Sequence, residues 1–431
     1  MASYWQMKSG SWRIRAYDGG GKCKYETVPS SEVAGLTPAK LEKELNRRAT
    51  LFEQKVKHGQ AADCTMKLSD FYKFWHDKYA VPNLAPKTLY TYDILWKRVD
   101  AQLGHIRVDK ITPSRLQSFY AWLSNEAVQV PNGRKNAEAI AKGEAVPKSL
   151  SPKTVHHCHR LVSSVLSYAV KLGFVPQNPC ERVIAPKKPM KEAYSLSPEQ
   201  VGRMVAALEH ESLQFQAMVM LYLQSGMRKS ELVGLTWANY DAEHALLRVE
   251  CELQYLPTQD AQGEKPKQGS LAGLQVRPPK NESSKRYVKL PASMVALLES
   301  LYSQQQAHKI DAGELWQDET PVHLRRDWIF SNELGSPRHP DSFPKMFKKF
   351  LARAGFTLEE VKLIHTHTLR HTTASLLIEA NVNLTTVAKR LGHADASTTN
   401  RIYAHAIGRA DAVASEVIDA ALHAAPAPAS A

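Results

Sequence analysis

The stretch from residue 365 to residue 405 constrains this chain more than any other. It contains His367-Thr368-Leu369-Arg370-His371, then Leu391-Gly392-His393, and then Tyr403, ten residues after the last histidine. Apolar residues recur at helical spacing behind the first motif, which predicts a helix beginning near Thr368 and two short helices after residues 381–383. Arginine offers a planar fork of donors to phosphate, histidine donates or relays protons, and tyrosine supplies a phenolic oxygen. The stretch therefore predicts a phosphate-directed site assembled from helix ends.

A second segment, residues 221–232, predicts a helix, a break at Gly226 and the start of another helix. Arg228 follows the break, and Glu231 lies in the first turn of the second helix. A carboxylate in that position interacts favourably with the helix dipole. We interpret Glu231 as a structural residue that can also hold Arg228.

These motifs resemble those of the tyrosine recombinases, the phage-integrase family. That family has His-x-x-Arg, then Leu-Gly-His and a nucleophilic tyrosine at this spacing, preceded by Thr-Gly-x-Arg-x-x-Glu-Leu, where Ser225 replaces the usual threonine. The resemblance covers roughly residues 66–407. It implies the DNA breaking-rejoining fold and a site-specific DNA strand-transferase that works through a 3′-phosphotyrosine intermediate. Such an enzyme integrates or excises a phage or mobile element.

By this resemblance, six residues are expected to be catalytic: Arg228, Lys280, His367, Arg370, His393 and the nucleophile Tyr403. The two arginines would clamp phosphate oxygens, and His393 would donate a hydrogen bond to the phosphate. His367 would accept or orient the phenolic proton, and a lysine would protonate the leaving 5′-oxygen. The resemblance implies no metal and no cofactor, because the phosphotyrosine linkage keeps the bond energy.

The position of the lysine rests on a third segment. Residues 280–290 resemble the family's Lys-Thr-x-x-Ser-x-Arg-x-Ile-Pro-Leu, which places the lysine at Lys280. Asn281 replaces the usual threonine, so Lys285 remains the alternative.

The chain as a whole is expected to be a multidomain α+β protein. Residues 1–60 are expected to form a small arm-type DNA-binding β domain, a hairpin through Gly19–Gly21 followed by a helical tether at Pro38–His58. The remaining predicted parts are an all-α core-binding, SAM-like domain at 66–184, a basic linker at 185–196, a mainly α catalytic domain with a small antiparallel sheet at 197–408, and a C-terminal helix with an Ala/Pro-rich disordered tail at 409–431.

Within the predicted catalytic domain, strands are expected at Ala245–Cys251, Lys285–Leu290 and Trp328–Ser331, a hairpin insertion at Pro257–Gly273, and a helix at Phe343–Phe356. The helix at Ala410–Leu422 either docks on a neighbouring protomer or packs on its own chain.

The charge of the chain favours a polyanionic partner. Lys and Arg number 56 against 43 Asp and Glu, a formal net charge of +13, which favours nucleic acid before membrane. One face of the hairpin carries apolar residues and the other carries arginines, and a two-stranded ribbon fits a major groove. The residues expected to contact DNA are Arg13, Arg15, Lys22, Lys24, Lys87, Lys153, Lys187 and Lys188.

The resemblance also implies partners. They are double-stranded DNA at core and arm attachment sites, other protomers in a synaptic tetramer on DNA, a DNA-bending host factor and an excision factor.

Five scattered cysteines favour a reducing compartment. No apolar run approaches membrane-spanning length, and Met1–Arg15 lacks a signal-peptide core. The expected location is therefore the bacterial cytoplasm or nucleoid.

Three alternatives compete with the recombinase interpretation. A type IB topoisomerase uses a similar set of residues but religates the same strand. A catalytically idle DNA-binding protein would need a lost active-site residue, and none of the six is missing. A zinc site at His365, His367 and His371 is disfavoured, because offsets of two and six do not place three ligands on one helix face.

Overall fold

The computed structural model describes residues 2–17, 21, 23–57, 66–125, 150–186, 194–256, 271–279, 281–397 and 399–400. The chain divides into two compact units, residues 1–190 and 191–431. The chain is mostly helical with small antiparallel sheets, as the sequence predicted. No helix among the described residues is long and apolar enough to span a bilayer.

The first unit begins with a three-stranded antiparallel sheet. Its strands are β1 (Ser3–Gln6), β2 (Trp12–Tyr17) and β3 (Cys23–Val28), in the order β1-β2-β3. The predicted hairpin of β2 and β3 is confirmed, but β1 was missed. None of the four residues of β1 is fully buried, so it lacks the alternation by which a half-buried strand is recognised.

A long helix, at the position predicted for a helical tether, packs on this sheet. Helices α1 (Ser30–Val33) and α2 (Pro38–Lys57) follow β3. Buried Ala49 packs with Ile14 and Val28 of the sheet, and Tyr4 donates from its hydroxyl to Asn46 Oδ1 at 3.1 Å. The helix is highly charged, but its apolar residues recur at helical spacing and require a partner surface.

The second part of this unit is helical, with a core of its own. Its helices are α3 (Leu68–Trp75), α4 (Val81–Asn83), α5 (Pro86–Val99), α6 (Pro113–Asn125) and α7 (Pro152–Lys171). Proline occupies the first position of α5, α6 and α7, and the Ser151 hydroxyl caps α7 by accepting from the Thr154 N–H at 3.3 Å.

The second unit has eight helices and five strands among its described residues. The helices are α8 (Pro198–Leu208), α9 (Leu213–Ser225), α10 (Lys229–Leu232), α11 (Ala292–Ala312), α12 (Ser342–Arg353), α13 (Leu358–Leu363), α14 (Thr366–Glu379) and α15 (Leu384–Leu391). The strands are β4 (Tyr240–Asp241), β5 (Leu246–Val249), β6 (Glu252–Tyr255), β7 (Leu274–Arg277) and β8 (Arg286–Lys289). They form two antiparallel sheets, β4-β5-β8 and β6-β7.

The strand predictions for this unit were mostly confirmed. Strands β5 and β8 lie where they were expected, and β6 pairs with β7 on either side of the predicted insertion, of which residues 257–270 lie outside the described part. Trp328–Ser331 is buried but is not a strand, since only isolated bridges to Thr236 and Pro337 flank it. A buried apolar run does not by itself require a ladder of backbone hydrogen bonds.

Candidate active site

The central helix of the second unit ends at the residue that organises the site. Helix α9 is buried on most sides, and Gly226 caps its C-terminus in the left-handed conformation, with φ of 62°. A side chain at this glycine would also lie 2.5 Å from Leu391 Cδ2. Gly226 therefore allows α15 to pack against the end of α9 and turns the chain toward Arg228.

Arg228 immediately precedes α10 and is held by hydrogen bonds on several sides. Its Nη1 donates to Glu231 Oε1 at 2.6 Å and to Ser284 Oγ at 3.0 Å, and its Nη2 donates to the Gly392 carbonyl at 2.9 Å. Its backbone N–H donates to Glu231 Oε2 at 2.8 Å. The expected role of Glu231 in holding Arg228 is thus confirmed. The Arg228 side chain is 32% exposed, so part of it remains accessible to a ligand.

Helix α14 supplies the second arginine. It begins at Thr366, two residues before the predicted start, because the buried Thr368 side chain accepts from the His365 N–H at 3.2 Å and caps the helix. Arg370 is buried, and its Nη1 donates to the Gly226 carbonyl at 2.7 Å. The Gly226 carbonyl, two residues before Arg228, therefore positions Arg370.

The third corner of the site follows α15. Gly392 caps that helix in the left-handed conformation, with φ of 69°, and turns the chain into His393. His393 Nδ1 lies 2.8 Å from Thr399 Oγ1. When the threonine hydroxyl donates to Nδ1, the neutral ring carries its proton on Nε2 and can donate that proton to a ligand.

The charges of the site keep its histidines neutral near pH 7. Burial, Arg370 and Arg228 lower the pKa of His393 to about 4. Burial and Arg370 lower the pKa of His371 to about 4. The His367 side chain is exposed, yet the surrounding protein atoms remove part of its solvation, which lowers its pKa. His371 and Arg370 lower this pKa further. A region that disfavours cationic histidine in this way is suited to binding an anion.

Arg286 was not predicted as a site residue, yet it connects the segments that carry Glu231, Ser284 and Arg390. Its Nε donates to the Arg390 carbonyl at 2.6 Å, Nη1 to the Ser284 carbonyl at 2.9 Å, and Nη2 to Glu231 Oε2 at 2.9 Å. A usable signal existed in the sequence. Arg286 precedes Val288 by two residues in β8 and so lies on the same, inward face of the strand, where a charge needs a partner.

Two of the six predicted catalytic residues, Lys280 and Tyr403, lie outside the described residues, as does the helix predicted at 410–422. Arg370 donates to the carbonyl of Gly226, two residues before Arg228, and Arg228 donates to the carbonyl of Gly392, next to His393. The structure therefore brings together three of the six: Arg228, Arg370 and His393. His367 lies one turn from His371, with ring centroids 5.0 Å apart. Lys285, the alternative lysine, is exposed and pairs with Glu282 at 3.0 Å.

The three histidines of the zinc alternative are directed to different partners. His365 Nδ1 lies 2.9 Å from the Leu363 carbonyl and 2.9 Å from Thr368 Oγ1, whereas the rings of His367 and His371 lie against each other. In the described ranges, no three His, Cys, Asp or Glu side chains are placed to hold a metal ion.

The predicted DNA contacts of the first unit are mostly exposed side chains. Lys24, Lys87 and Lys153 are exposed, the last two near the N-termini of α5 and α7. On the sheet, the Arg13 guanidinium lies 4.9 Å from the Tyr25 ring centroid, and the Arg15 guanidinium lies 5.8 Å from that of Trp5. The other three predicted contacts, Lys22, Lys187 and Lys188, fall outside the described residues.

Comparison with known proteins matches this architecture to one family. Residues 195–408 match the phage integrase family, and residues 67–124 match the N-terminal SAM-like domain of phage integrases. A tyrosine recombinase XerC-like protein of Caldanaerobacter subterraneus subsp. tengcongensis is 29% identical over 275 residues, which cover 62% of this chain and 66% of that protein. The chain therefore spans just under two thirds of the length of this curated relative.

Two solved structures share the fold. The Tn1549 transposon integrase in complex with a circular intermediate DNA has a TM-score of 0.60 at 18% identity, covering 80% of this chain and 98% of that chain. A lambda integrase dimer bound to a COC′ core site has a TM-score of 0.50 at 14% identity and covers 93% of both chains. The two matched family regions together make up more than half of the sequence, and the motifs around Arg228, Arg370 and His393 lie within the larger one. The chain belongs to the phage integrase family, the tyrosine recombinases.

Proposed function

We propose that this protein is a site-specific recombinase that cuts and rejoins double-stranded DNA through a 3′-phosphotyrosine at Tyr403, without a metal or nucleotide cofactor. The observation that carries the proposal is the convergence of Arg228, Arg370 and His393 through two glycine carbonyls, inside the region that matches the family. Its biological outcome is the integration or excision of a phage or mobile element.

The two arginines neutralise the nonbridging oxygens of the scissile phosphate, where charge accumulates as the reaction proceeds. Neutral His393 donates a further hydrogen bond to these oxygens. The Tyr403 oxygen attacks phosphorus, with its proton accepted or oriented by His367, and a new oxygen–phosphorus bond forms as the bond to the 5′-oxygen breaks. A lysine, Lys280 or alternatively Lys285, protonates that 5′-oxygen. A 5′-hydroxyl of a second duplex then attacks the phosphotyrosine and releases the phenol.

The first unit is proposed to recognise the DNA in two places. The helical part, residues 66–184, would bind the core site, with Lys87 and Lys153 at helix N-termini as phosphate contacts. The N-terminal sheet, with Arg13, Arg15 and Lys24, would bind a separate arm site. The lambda integrase neighbour is a dimer on a core site, which supports action by several protomers. The proposal also includes a DNA-bending host factor, an excision factor and a bacterial cytoplasm as the location.

Replacement of Tyr403 by phenylalanine tests the nucleophile. A suicide DNA substrate releases the short fragment that carries the new 5′-hydroxyl, so religation is prevented. The trapped covalent complex migrates as a slow band in a denaturing gel. The native chain should form this band, and Tyr403→Phe should form none while binding a single site with unchanged affinity. A band from the variant, or no band from the native chain on its own attachment DNA, would contradict the proposal.

The lysine is tested with DNA that carries sulfur at the bridging 5′ position, because a thiolate leaves without being protonated. Lys280→Ala should cleave normal DNA slowly and the sulfur-containing DNA at nearly the native rate. Rescue of Lys285→Ala instead would assign the proton transfer to that residue.

A further inference from the structure

The candidate site contains two arginines that share one carboxylate. Glu231 is buried, with 1% of its side chain exposed, and each of its oxygens accepts from a different guanidinium. Oε1 accepts from Arg228 Nη1 at 2.6 Å, and Oε2 accepts from Arg286 Nη2 at 2.9 Å. Burial alone would raise the pKa of Glu231, but Arg286 and Arg228 lower it below its usual value, so the group is ionised.

The arrangement has an electrostatic consequence for Arg228. If Arg228 and Glu231 stood alone, the pair would be neutral, and a phosphate would meet an arginine whose charge was already balanced. With Arg286 present, two positive groups share one negative group, and one unit of positive charge remains. Since Arg286 is only 6% exposed while Arg228 is 32% exposed, Arg228 is the member that can present this charge to a ligand.

Arg286 also contacts two other segments of the site. Its other nitrogens donate to the carbonyls of Ser284 and Arg390, which belong to the turn before β8 and to the end of α15. A side chain at Gly392 would lie 2.8 Å from Arg286 Nη1, so the glycine leaves room for the guanidinium in its present position. The planar fork thus fixes the corner that carries His393 relative to the segment that carries Arg228.

We propose that Arg286 is a positioning residue for DNA cleavage, which shares Glu231 with Arg228 and thereby preserves a net positive charge at the phosphate-binding arginine. This inference rests on the proposed function. Because negative charge on the nonbridging oxygens grows in the transition state, loss of this charge should slow the chemical step more than it weakens DNA binding.

A pair of variants isolates the charge from the contacts. Arg286→Met removes the charge and leaves Arg228 balanced by Glu231. Adding Glu231→Gln removes the negative charge as well and restores one unit of positive charge. Both variants lose the hydrogen bonds of Arg286 to Ser284 and Arg390. Glu231→Gln also weakens the hydrogen bonds that hold Arg228, which by itself would slow cleavage, so a faster double variant reports the restored charge.

The experiment measures single-turnover cleavage of the suicide substrate under saturating protein, with the dissociation constant for one core site and the melting temperature determined in parallel. Arg286→Met should cleave on the order of 10- to 100-fold more slowly than the native chain, the range seen when a group that orients a site residue is removed. Its affinity for DNA should change less than its rate. The double variant should cleave several-fold faster than Arg286→Met, a reversal that loss of structure alone does not produce.

Arg203 provides the matched control. It pairs with Glu360 at 2.9 Å in the same unit, and it contacts none of the site residues named above. Arg203→Met should cleave at the native rate. If Arg286→Met shows no cooperative melting, Arg286→Gln replaces it, since glutamine keeps a donor for a carbonyl and still removes the charge.

Cleavage by Arg286→Met at the native rate would overturn the inference. It would also be overturned if Arg286→Met/Glu231→Gln cleaved no faster than Arg286→Met. Arg286→Lys, which keeps the charge, should cleave faster than the neutral variant, and equal rates for the two would also overturn it. Failure of the native chain to form any covalent complex would instead refute the proposed function.

Discussion

The two units use arginine in opposite ways. In the second unit, Arg286 and Arg370 are buried and donate to carbonyls and a carboxylate, so the atoms around the phosphate site are fixed. On the N-terminal sheet, Arg13 and Arg15 lie against aromatic rings, and the Nε atom of each makes no hydrogen bond within the described residues. The first arrangement suits catalysis, which needs donors organised before the substrate arrives. The second is the arrangement that we propose for binding to arm DNA, where side chains meet a phosphate surface.

Removal of a site arginine should have the largest effect. Arg370→Ala and Arg228→Ala should each slow single-turnover cleavage by a factor of about 10²–10³, or roughly 2.7–4 kcal/mol, the cost of losing one preorganised donor. Rates are measured with the suicide substrate, and Arg203→Ala is the control for loss of a paired arginine elsewhere in the unit. Near-native rates in both site variants would show that the convergence at Gly226 and Gly392 has no catalytic role.

The sheet arginines should affect binding and leave cleavage at the core site unchanged. For Arg13→Ala/Arg15→Ala, we expect the salt dependence of arm-site binding to lose roughly 0.9 from its logarithmic slope for each phosphate contact removed. Binding is measured by titration of arm DNA at several salt concentrations. If the double variant protects the same arm DNA with the same salt slope, the sheet has no role in recognition.

Acid should destabilise the catalytic unit through its histidines. In the folded chain the pKa values of His371 and His393 are lowered to about 4, so both rings stay neutral as the pH falls from 6.5 toward 4. In the unfolded chain the histidine pKa is about 6.5, so the same rings take up protons over this range. Stability is therefore complete above about pH 6.5 and falls as the pH decreases toward 4, by on the order of 1 kcal/mol per histidine after allowance for partial exposure.

Melting temperatures between pH 7.5 and pH 4 measure this loss. His371→Gln should flatten the pH dependence, because it removes one of the groups that titrate only in the unfolded chain. The sheet and its packed helix, residues 2–57, contain no histidine and serve as an internal comparison. An unchanged slope in the variant would contradict the assignment.

The smallest effect is expected from the partner of His393. Thr399→Val removes the hydroxyl 2.8 Å from Nδ1 while keeping the shape of this buried side chain. The ring would lose the contact that selects its tautomer, which is worth about 1 kcal/mol, or roughly a fivefold slower cleavage. Thr399→Ser keeps the hydroxyl and should restore most of the rate, whereas equal slowing by both variants would indicate packing alone.

Local sequence patterns predicted much of the helical structure. The helix starts predicted near Thr368 and after Gly226 depend on nearest neighbours alone, and the structure has helices that begin at Thr366 and Lys229. The packing of the long helix α2 on the sheet was not predicted, because the sequence shows its apolar stripe but not the sheet that covers it. Strand β1 was missed for the related reason that none of its residues is fully buried.

The sequence by itself determined the family motifs, because each is a short run whose spacing is read directly: Arg228 after Gly226, Arg370 three residues after His367, and Gly392 before His393. It also placed Glu231 one turn from Arg228, close enough to hold it. Only the tertiary structure decided that Arg286 shares this carboxylate and that Gly392 leaves room for its guanidinium. Those contacts join residues distant in the chain, and the free energy that selects them depends on burial and charge created when the elements pack together.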